Sequence, residues 1–151
     1  MPAKIKCVVD NNVKLSSNFW GEHGISFLIE NKEKILFDTG RSFEALNHNL
    51  EVLGEKKEDI SKIFLSHGHY DHTGGLIELT KHCNAKIFAH PSIFEKKYKK
   101  TSLGPKYIGA PFKEKDLNNI TLTKDSIELS KNIFTTGEIE RTFKFEKVSD
   151  L

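Results

Sequence analysis

The sequence predicts one α/β domain, a β-sheet with helices packed outside it, and three observations carry that prediction. Short runs rich in β-branched and aromatic residues, "IKCVV", "ISFLIE", "KIFL" and "AKIFA", recur between polar turns, as buried strands do. Two of the strand-like segments lead into stretches with helical apolar spacing. The order is strands, then strand-helix units, then strands again, which places helices against a sheet.

Each element has a local reason. "IKCVV" (Ile5 to Val9) and "ISFLIE" (Ile25 to Glu30) read as separate strands. The polar "ENKEK" precedes "ILF" (Ile35 to Phe37), so residues 25–37 are expected to form a hairpin that ends at "DTG". In "SFEALNHNLEVLG" the apolar residues Phe43, Leu46, Leu50 and Leu53 recur at three- and four-residue steps, with Gly54 placed to cap the helix. "KIFL" (Lys62 to Leu65) is the next strand, and "GGLIELTKHC" is expected to be a helix with Thr73 as N-cap. "AKIFA" (Ala85 to Ala89) follows, and Pro91 can open a short helix as its first residue. From Thr101, the residues Gly104, Pro105, Gly109 and Pro111 predict a loop. "ITLT", "SIELS" and "IFTT" then read as short strands parted by "KD" and "KN" turns.

Composition narrows the class. A chain of 151 residues is long enough for one domain with a real core. Lys and Arg number 23 against 21 Asp and Glu, so a net charge of +2 gives no global argument for nucleic acid or a membrane. The basic run "KKYKK" (Lys96 to Lys100) reads as the solvated side of a short helix or loop. Two distant cysteines, Cys7 and Cys83, suggest neither a disulfide framework nor a thiolate zinc site, and a reducing compartment fits them best. The first ten residues lack the apolar region of a signal peptide, and "ISFLI" is far short of a membrane span, so a cytoplasmic protein is expected.

The stretch "SHGHYDHTGG" (Ser66 to Gly75) concentrates the chemistry. At the exit of a strand, residues two apart point the same way, so His67 and His69 can grip one ion. Asp71 and His72, past the bend, face a second position. Imidazole and carboxylate donors suit zinc first, with manganese, iron or magnesium as further candidates. Gly68 keeps the backbone unobstructed, and Gly74 with Gly75 lets the next helix begin against the site.

The segment from Ser66 to Gly75 resembles the metal-binding signature of the metallo-β-lactamase superfamily, and Phe37-Asp38-Thr39-Gly40 is similar to that superfamily's first motif. The resemblance implies a metallo-β-lactamase-like αββα sandwich in which His67, His69, Asp71 and His72 are the metal ligands. Asp38 would support the loop without ligating. "GEHGISFLIE", "AHPSIF" and "GEIERTFKFE" resemble the branch that includes dihydropterin ribofuranosylaminobenzene phosphate synthases. In that branch a proline precedes the arginine; here Glu140 stands before Arg141, which is retained as an anion contact for substrate. His90 is expected either to face the substrate cleft or to be satisfied by local hydrogen bonds. His23, His48 and His82 read as ordinary histidines, Glu22 as a residue that can reach the cleft mouth, and Tyr70 as packing. Phe143 and Phe145, alternating with Lys144, look like a strand face seeking a core.

The superfamily's site normally takes a third histidine, an aspartate and a final histidine from its C-terminal half, and none has a candidate after residue 90. Much of that half is therefore expected to be lacking from residues 1–151. In an intact relative, two ions lower the pKa of a bound water and aim the resulting hydroxide at an ester, phosphoester or similar small-molecule substrate. Asp71 holds the second ion or serves as general base. A metal-assisted transferase is the first alternative, and a non-catalytic binding or interaction module is the second. A nuclease would need a basic surface track that the sequence does not show. Incomplete cover of the sheet leads to the expectation of self-association or of a missing C-terminal half as partner.

Overall fold

The computed structural model describes residues 2–140 and 142. Strands β1 (Lys4–Val9), β2 (Ser26–Glu30) and β3 (Lys34–Phe37) form an antiparallel meander, with the expected hairpin between β2 and β3. Helix α1 (Phe43–Val52) crosses back and delivers the chain to β4 (Ile60–Leu65), parallel to β3. Two short helices, α2 (Tyr70–Thr73) and α3 (Leu76–Leu79), precede β5 (Lys86–Ala89). A hairpin of β6 (Tyr98–Thr101) and β7 (Gly104–Tyr107) follows. Strand β8 (Ile120–Leu122) then rejoins the sheet, and β9 (Glu128–Ser130) pairs with β10 (Ile133–Phe134). The main sheet runs β1-β2-β3-β4-β5-β8.

Period-two alternation gives this sheet two unlike faces. Leu28, Leu36, Ile63 and Ile87 lie in register across β2 to β5 and are almost completely buried. They pack in one core with Leu46 and Leu50 of α1 and Leu76 and Leu79 of α3, each such side chain worth about 1.5–3 kcal/mol by transfer from water. One residue along, Phe27, Phe37, Phe64 and Phe88 form the matching row on the other face and are only half-buried. Adjacent rings lie 6.3 Å apart for Phe27 and Phe37 and 5.7 Å for Phe37 and Phe64. The β9–β10 hairpin covers part of this face and leaves a cavity of about 410 Å³ lined by Phe37, Phe64, Leu129, Ile133, Phe134 and His90, among others. One helical layer and one full sheet of an αββα sandwich are thus present among the described residues.

Helix α1 starts and stops as its sequence requires. The Ser42 hydroxyl accepts from the Ala45 N–H at 3.3 Å, and Gly54, just past the cap at Leu53, takes φ +71°.

Three expectations need correction. The segment from Thr101 is not a simple loop, because Thr101 to Tyr107 belongs to the β6–β7 hairpin; Lys99 and Lys100 of the basic run therefore lie in a strand. Thr73 is not an N-cap: it ends α2, and its hydroxyl donates to the His69 carbonyl at 2.8 Å. The helix expected from Gly74 is only the four-residue α3, and a separate short helix, α2, forms before it in the motif, where the loop after β3 is sewn to this segment. The Thr39 N–H donates to the His72 carbonyl at 2.8 Å, and the Gly74 N–H donates to the Gly40 carbonyl at 2.9 Å. A Cβ on Gly74 would stand 1.9 Å from the Arg41 carbonyl oxygen.

Among the described residues, no helix is long and apolar enough to cross a membrane. Arg141, Phe143 and Phe145 lie outside the described residues.

Candidate metal centre

The site is built where β3 and β4 end side by side. Asp38 follows β3, is fully buried and takes φ +55°, which aims its carboxylate across the neighbouring strand end. It accepts from the Ser66 N–H at 2.8 Å, from the Ser66 hydroxyl at 2.6 Å and from His72 Nδ1 at 2.7 Å. A buried carboxylate is tolerated when such donors surround it.

These bonds dictate the tautomers. Ser66 has one hydroxyl proton, and the acceptor-only carboxylate takes it. The contact of 2.9 Å between Ser66 Oγ and His67 Nδ1 must then be donated by the imidazole, leaving His67 Nε2 with a free lone pair. That lone pair meets His69 Nδ1 at 3.0 Å. His72 likewise donates Nδ1–H to Asp38, so its Nε2 is bare and stands 3.6 Å from Asp71 Oδ2. Asp38 and Ser66 therefore orient two imidazoles with their Nε2 atoms available.

The backbone allows no slack. A Cβ on Gly68 would lie 2.2 Å from the Ile93 carbonyl oxygen, so the turn between His67 and His69 accepts only glycine without rearrangement. His69 bridges to Gly109, and the Tyr70 N–H donates to the Ile108 carbonyl at 3.1 Å, which ties the loop to the segment after β7. Asp71 and His72 lie in the turn of α2 rather than in an extended loop.

Burial pushes His67 below the usual histidine range, assisted by His72 and His69, and burial does the same to His69. Both are thereby kept neutral, the form that donates a lone pair to a metal. Burial also opposes charge on His72, but its bond to Asp38 and the carboxylates of Asp38 and Asp71 outweigh it and hold His72 above its ordinary value. Burial raises the thiols of Cys83 and Cys7 above the usual cysteine value, which favours their protonated form.

His90 is satisfied by local hydrogen bonds through Nδ1 and also lines a cavity. It closes β5, its Nδ1 accepts from the Ser92 N–H at 3.1 Å, and it lines the same cavity as Ser66. Its Nε2 is buried with no hydrogen-bond partner among the described residues, 3.7 Å from Glu138 Oε2. Glu22 does not serve the cleft mouth: its carboxylate accepts from the Arg41 N–H at 3.1 Å, the Ser42 N–H at 2.7 Å and the Ser42 hydroxyl at 2.6 Å. The orienting role of Ser66 was missed in the sequence, although it stands directly before His67 in the motif.

Among the described residues no group of three or more His, Cys, Asp or Glu encloses a single metal position; the donors come as pairs. The pairs fit a divalent ion in kind and in spacing. Tetrahedral zinc with bonds of about 2.0–2.1 Å separates its donors by about 3.3 Å. His67 Nε2 and His69 Nδ1 stand 3.0 Å apart, and His72 Nε2 and Asp71 Oδ2 stand 3.6 Å apart.

A half-parallel sheet whose strand ends carry an imidazole pair and an imidazole–carboxylate pair, backed by a buried carboxylate, defines an α/β protein with its polar donor side chains gathered at one end of the sheet. The Metallo-beta-lactamase superfamily model matches residues 21–141, and the chain belongs to that superfamily, whose members generally bind divalent metals. The chain is 38% identical over 161 residues to a dihydropterin-ribofuranosylaminobenzene phosphate synthase of Methanocaldococcus jannaschii, covering 95% of this chain and 54% of that one. It is 35% identical to the uncharacterized protein MJ0448 of the same organism, covering 94% of this chain and 56% of that one. Among solved structures it is similar to Tm1679, described as a metal-dependent hydrolase of the beta-lactamase superfamily. That match has TM-score 0.67 and 27% identity, and it covers 86% of this chain and 46% of that one. The chain thus spans about half the length of the relatives it matches.

Proposed function

We propose that this chain carries the metal-holding part of a metal-dependent hydrolase acting on an ester, phosphoester or similar small molecule. The observation that carries the proposal is the chain of bonds from Asp38 through Ser66 to His67 and directly to His72, which fixes the lone pairs that a metal needs. His67 and His69 would hold one divalent ion, most suitably zinc, and Asp71 and His72 would hold a second. A divalent ion there supplies Lewis acidity and an activated water.

The chain's own residues supply positioning and charge. Asp38 keeps the His72 proton on Nδ1 and stabilises positive charge on that ring. Asp71 offers a carboxylate at the site, where it can take a proton from an attacking water. The cavity beside Ser66 gives an apolar seat for the body of a substrate, and His90 Nε2 is a polar group at its edge. Arg141 is retained as an anion contact on the strength of the sequence resemblance alone.

A metal-assisted transferase is the second reading, favoured by the match to the M. jannaschii synthase. Both readings are tested by titrating zinc or manganese into the 151-residue chain, His67→Ala and His69→Ala, and assaying activated esters and phosphodiesters. We expect weak binding in which either substitution abolishes the event at the His67–His69 pair, with turnover near background, because that pair supplies only two protein donors. Metal binding unaffected by both substitutions would overturn the assignment of the donors.

A further inference from the structure

Outside the quoted motif, one more imidazole reaches the site. His23, in the loop between β1 and β2, places Nε2 at 3.3 Å from Asp71 Oδ2. That is the same carboxylate oxygen that His72 Nε2 approaches at 3.6 Å. Two imidazole nitrogens on separate elements thus approach one carboxylate oxygen at about the spacing of neighbouring ligands on a tetrahedral ion, about 3.3 Å.

The loop that carries His23 is fixed on both sides of it. On one side the Glu22 carboxylate takes three hydrogen bonds from Arg41 and Ser42, and the Glu22 N–H donates to the Asp10 carbonyl at 3.1 Å. On the other side the Gly24 N–H donates to Asn11 Oδ1 at 2.8 Å. Gly24 itself adopts φ +123° and lies so close that a Cβ there would stand 2.0 Å from the Asp71 carbonyl oxygen. The backbone of this loop is therefore seated directly on Asp71. The His23 side chain is 58% exposed, so its ring is free to rotate about a fixed anchor.

We propose that His23 is a third protein ligand for the ion position at Asp71 and His72, completing the three-donor set that catalytic zinc sites generally use while leaving a place for water. The proposal rests on the metal-centre reading above, and it concerns a residue outside the HxHxDH motif. It assigns the 22–24 loop a function: the loop brings a donor from the antiparallel part of the sheet to a site otherwise built at the ends of β3 and β4. The three side chains do not enclose one position as they stand, so closure requires the exposed His23 ring to turn toward Asp71 and His72.

The test is a zinc titration of the 151-residue chain by calorimetry, with imidazole NMR followed in parallel, on the wild type, His23→Ala, His23→Gln and the surface control His82→Ala. We expect two events in the wild type. His23→Ala and His23→Gln should weaken the second by about tenfold or more and leave the first unchanged, and the His23 resonances should move only during the second. His82→Ala should bind as the wild type does. Should His23→Ala fold poorly by circular dichroism, His23→Gln and the wild-type His23 resonances decide. Unchanged second binding in both His23 variants, or His23 resonances that do not respond to zinc, overturns the third-ligand assignment while the metal centre stands. Absence of any zinc uptake by the wild type overturns the metal centre and this inference with it.

Discussion

Replacing Asp38 with Asn perturbs the group on which the whole arrangement turns. The side chain keeps its size and tolerates the positive φ of 55°, so the change isolates charge and acceptor count. The carboxylate accepts from three donors, the Ser66 N–H, the Ser66 hydroxyl and His72 Nδ1. An amide must turn its NH2 toward at least one of them, which loses one bond and removes the charge assistance of the others. Hydrogen bonds to a charged group contribute about 1.5–3 kcal/mol each, so the expected loss of stability is about 2–4 kcal/mol. For a chain of this size that corresponds to a fall of about 5–15 °C in melting temperature, at about 2–4 °C per kcal/mol. Thermal unfolding followed by circular dichroism measures the shift, and imidazole NMR should show the His72 pKa moving down. A variant that melts within about 2 °C of the wild type and leaves the His72 titration unchanged would refute the role assigned to Asp38.

The remaining predictions concern the same loop and the open face. In the metal-free chain, His72 should titrate above about 6.5 and His67 and His69 below it. A raised folded pKa means that His72 contributes stability fully present below about 6.5 and lost as pH rises through its folded value. The lowered pair contributes the opposite slope, because the unfolded chain takes up their protons first as pH falls below about 6.5. An NMR titration in which His72 loses its proton at a lower pH than His67 would contradict the assigned charges. Gly68→Ala should destabilise by about 2 kcal/mol or more, since its Cβ would meet the Ile93 carbonyl, and an unchanged urea midpoint would count against the rigid turn. The Phe27, Phe37, Phe64 and Phe88 row and the 62% exposed Phe134 should drive self-association, which Phe134→Ser should reduce. Sedimentation showing a compact monomer for both at high concentration would contradict this.

Much of the fold was legible because it rests on local periodicity. Alternating β-branched and aromatic residues marked β1 to β5, and the three- and four-residue spacing of Phe43, Leu46 and Leu50 marked α1. The β6–β7 hairpin was not legible, because "YKKT" and "GPKY" have no buried face to impose alternation. The division of α2 from α3 was hidden for a different reason: it depends on Gly74 lying against the Arg41 carbonyl, a contact between segments distant in sequence. For the site, spacing brought attention to His67, His69, Asp71 and His72, and the first motif to Asp38. The hydrogen bond of Ser66 to Asp38 and the approach of His23 to Asp71 both depend on tertiary placement. No spacing rule within a single segment reports them.

The central claim is that Asp38 and Ser66 orient the His67 imidazole so that its Nε2, with His69 Nδ1 beside it, can hold one divalent ion. Crystals of the 151-residue chain grown with zinc, measured on both sides of the zinc absorption edge, test it most directly. The account predicts an anomalous peak at about 2.0–2.2 Å from both His67 Nε2 and His69 Nδ1, with the hydrogen bonds from Ser66 and His72 to Asp38 retained. Zinc peaks only at other histidines such as His48 or His82, with His67 and His69 still bonded to each other, would contradict it.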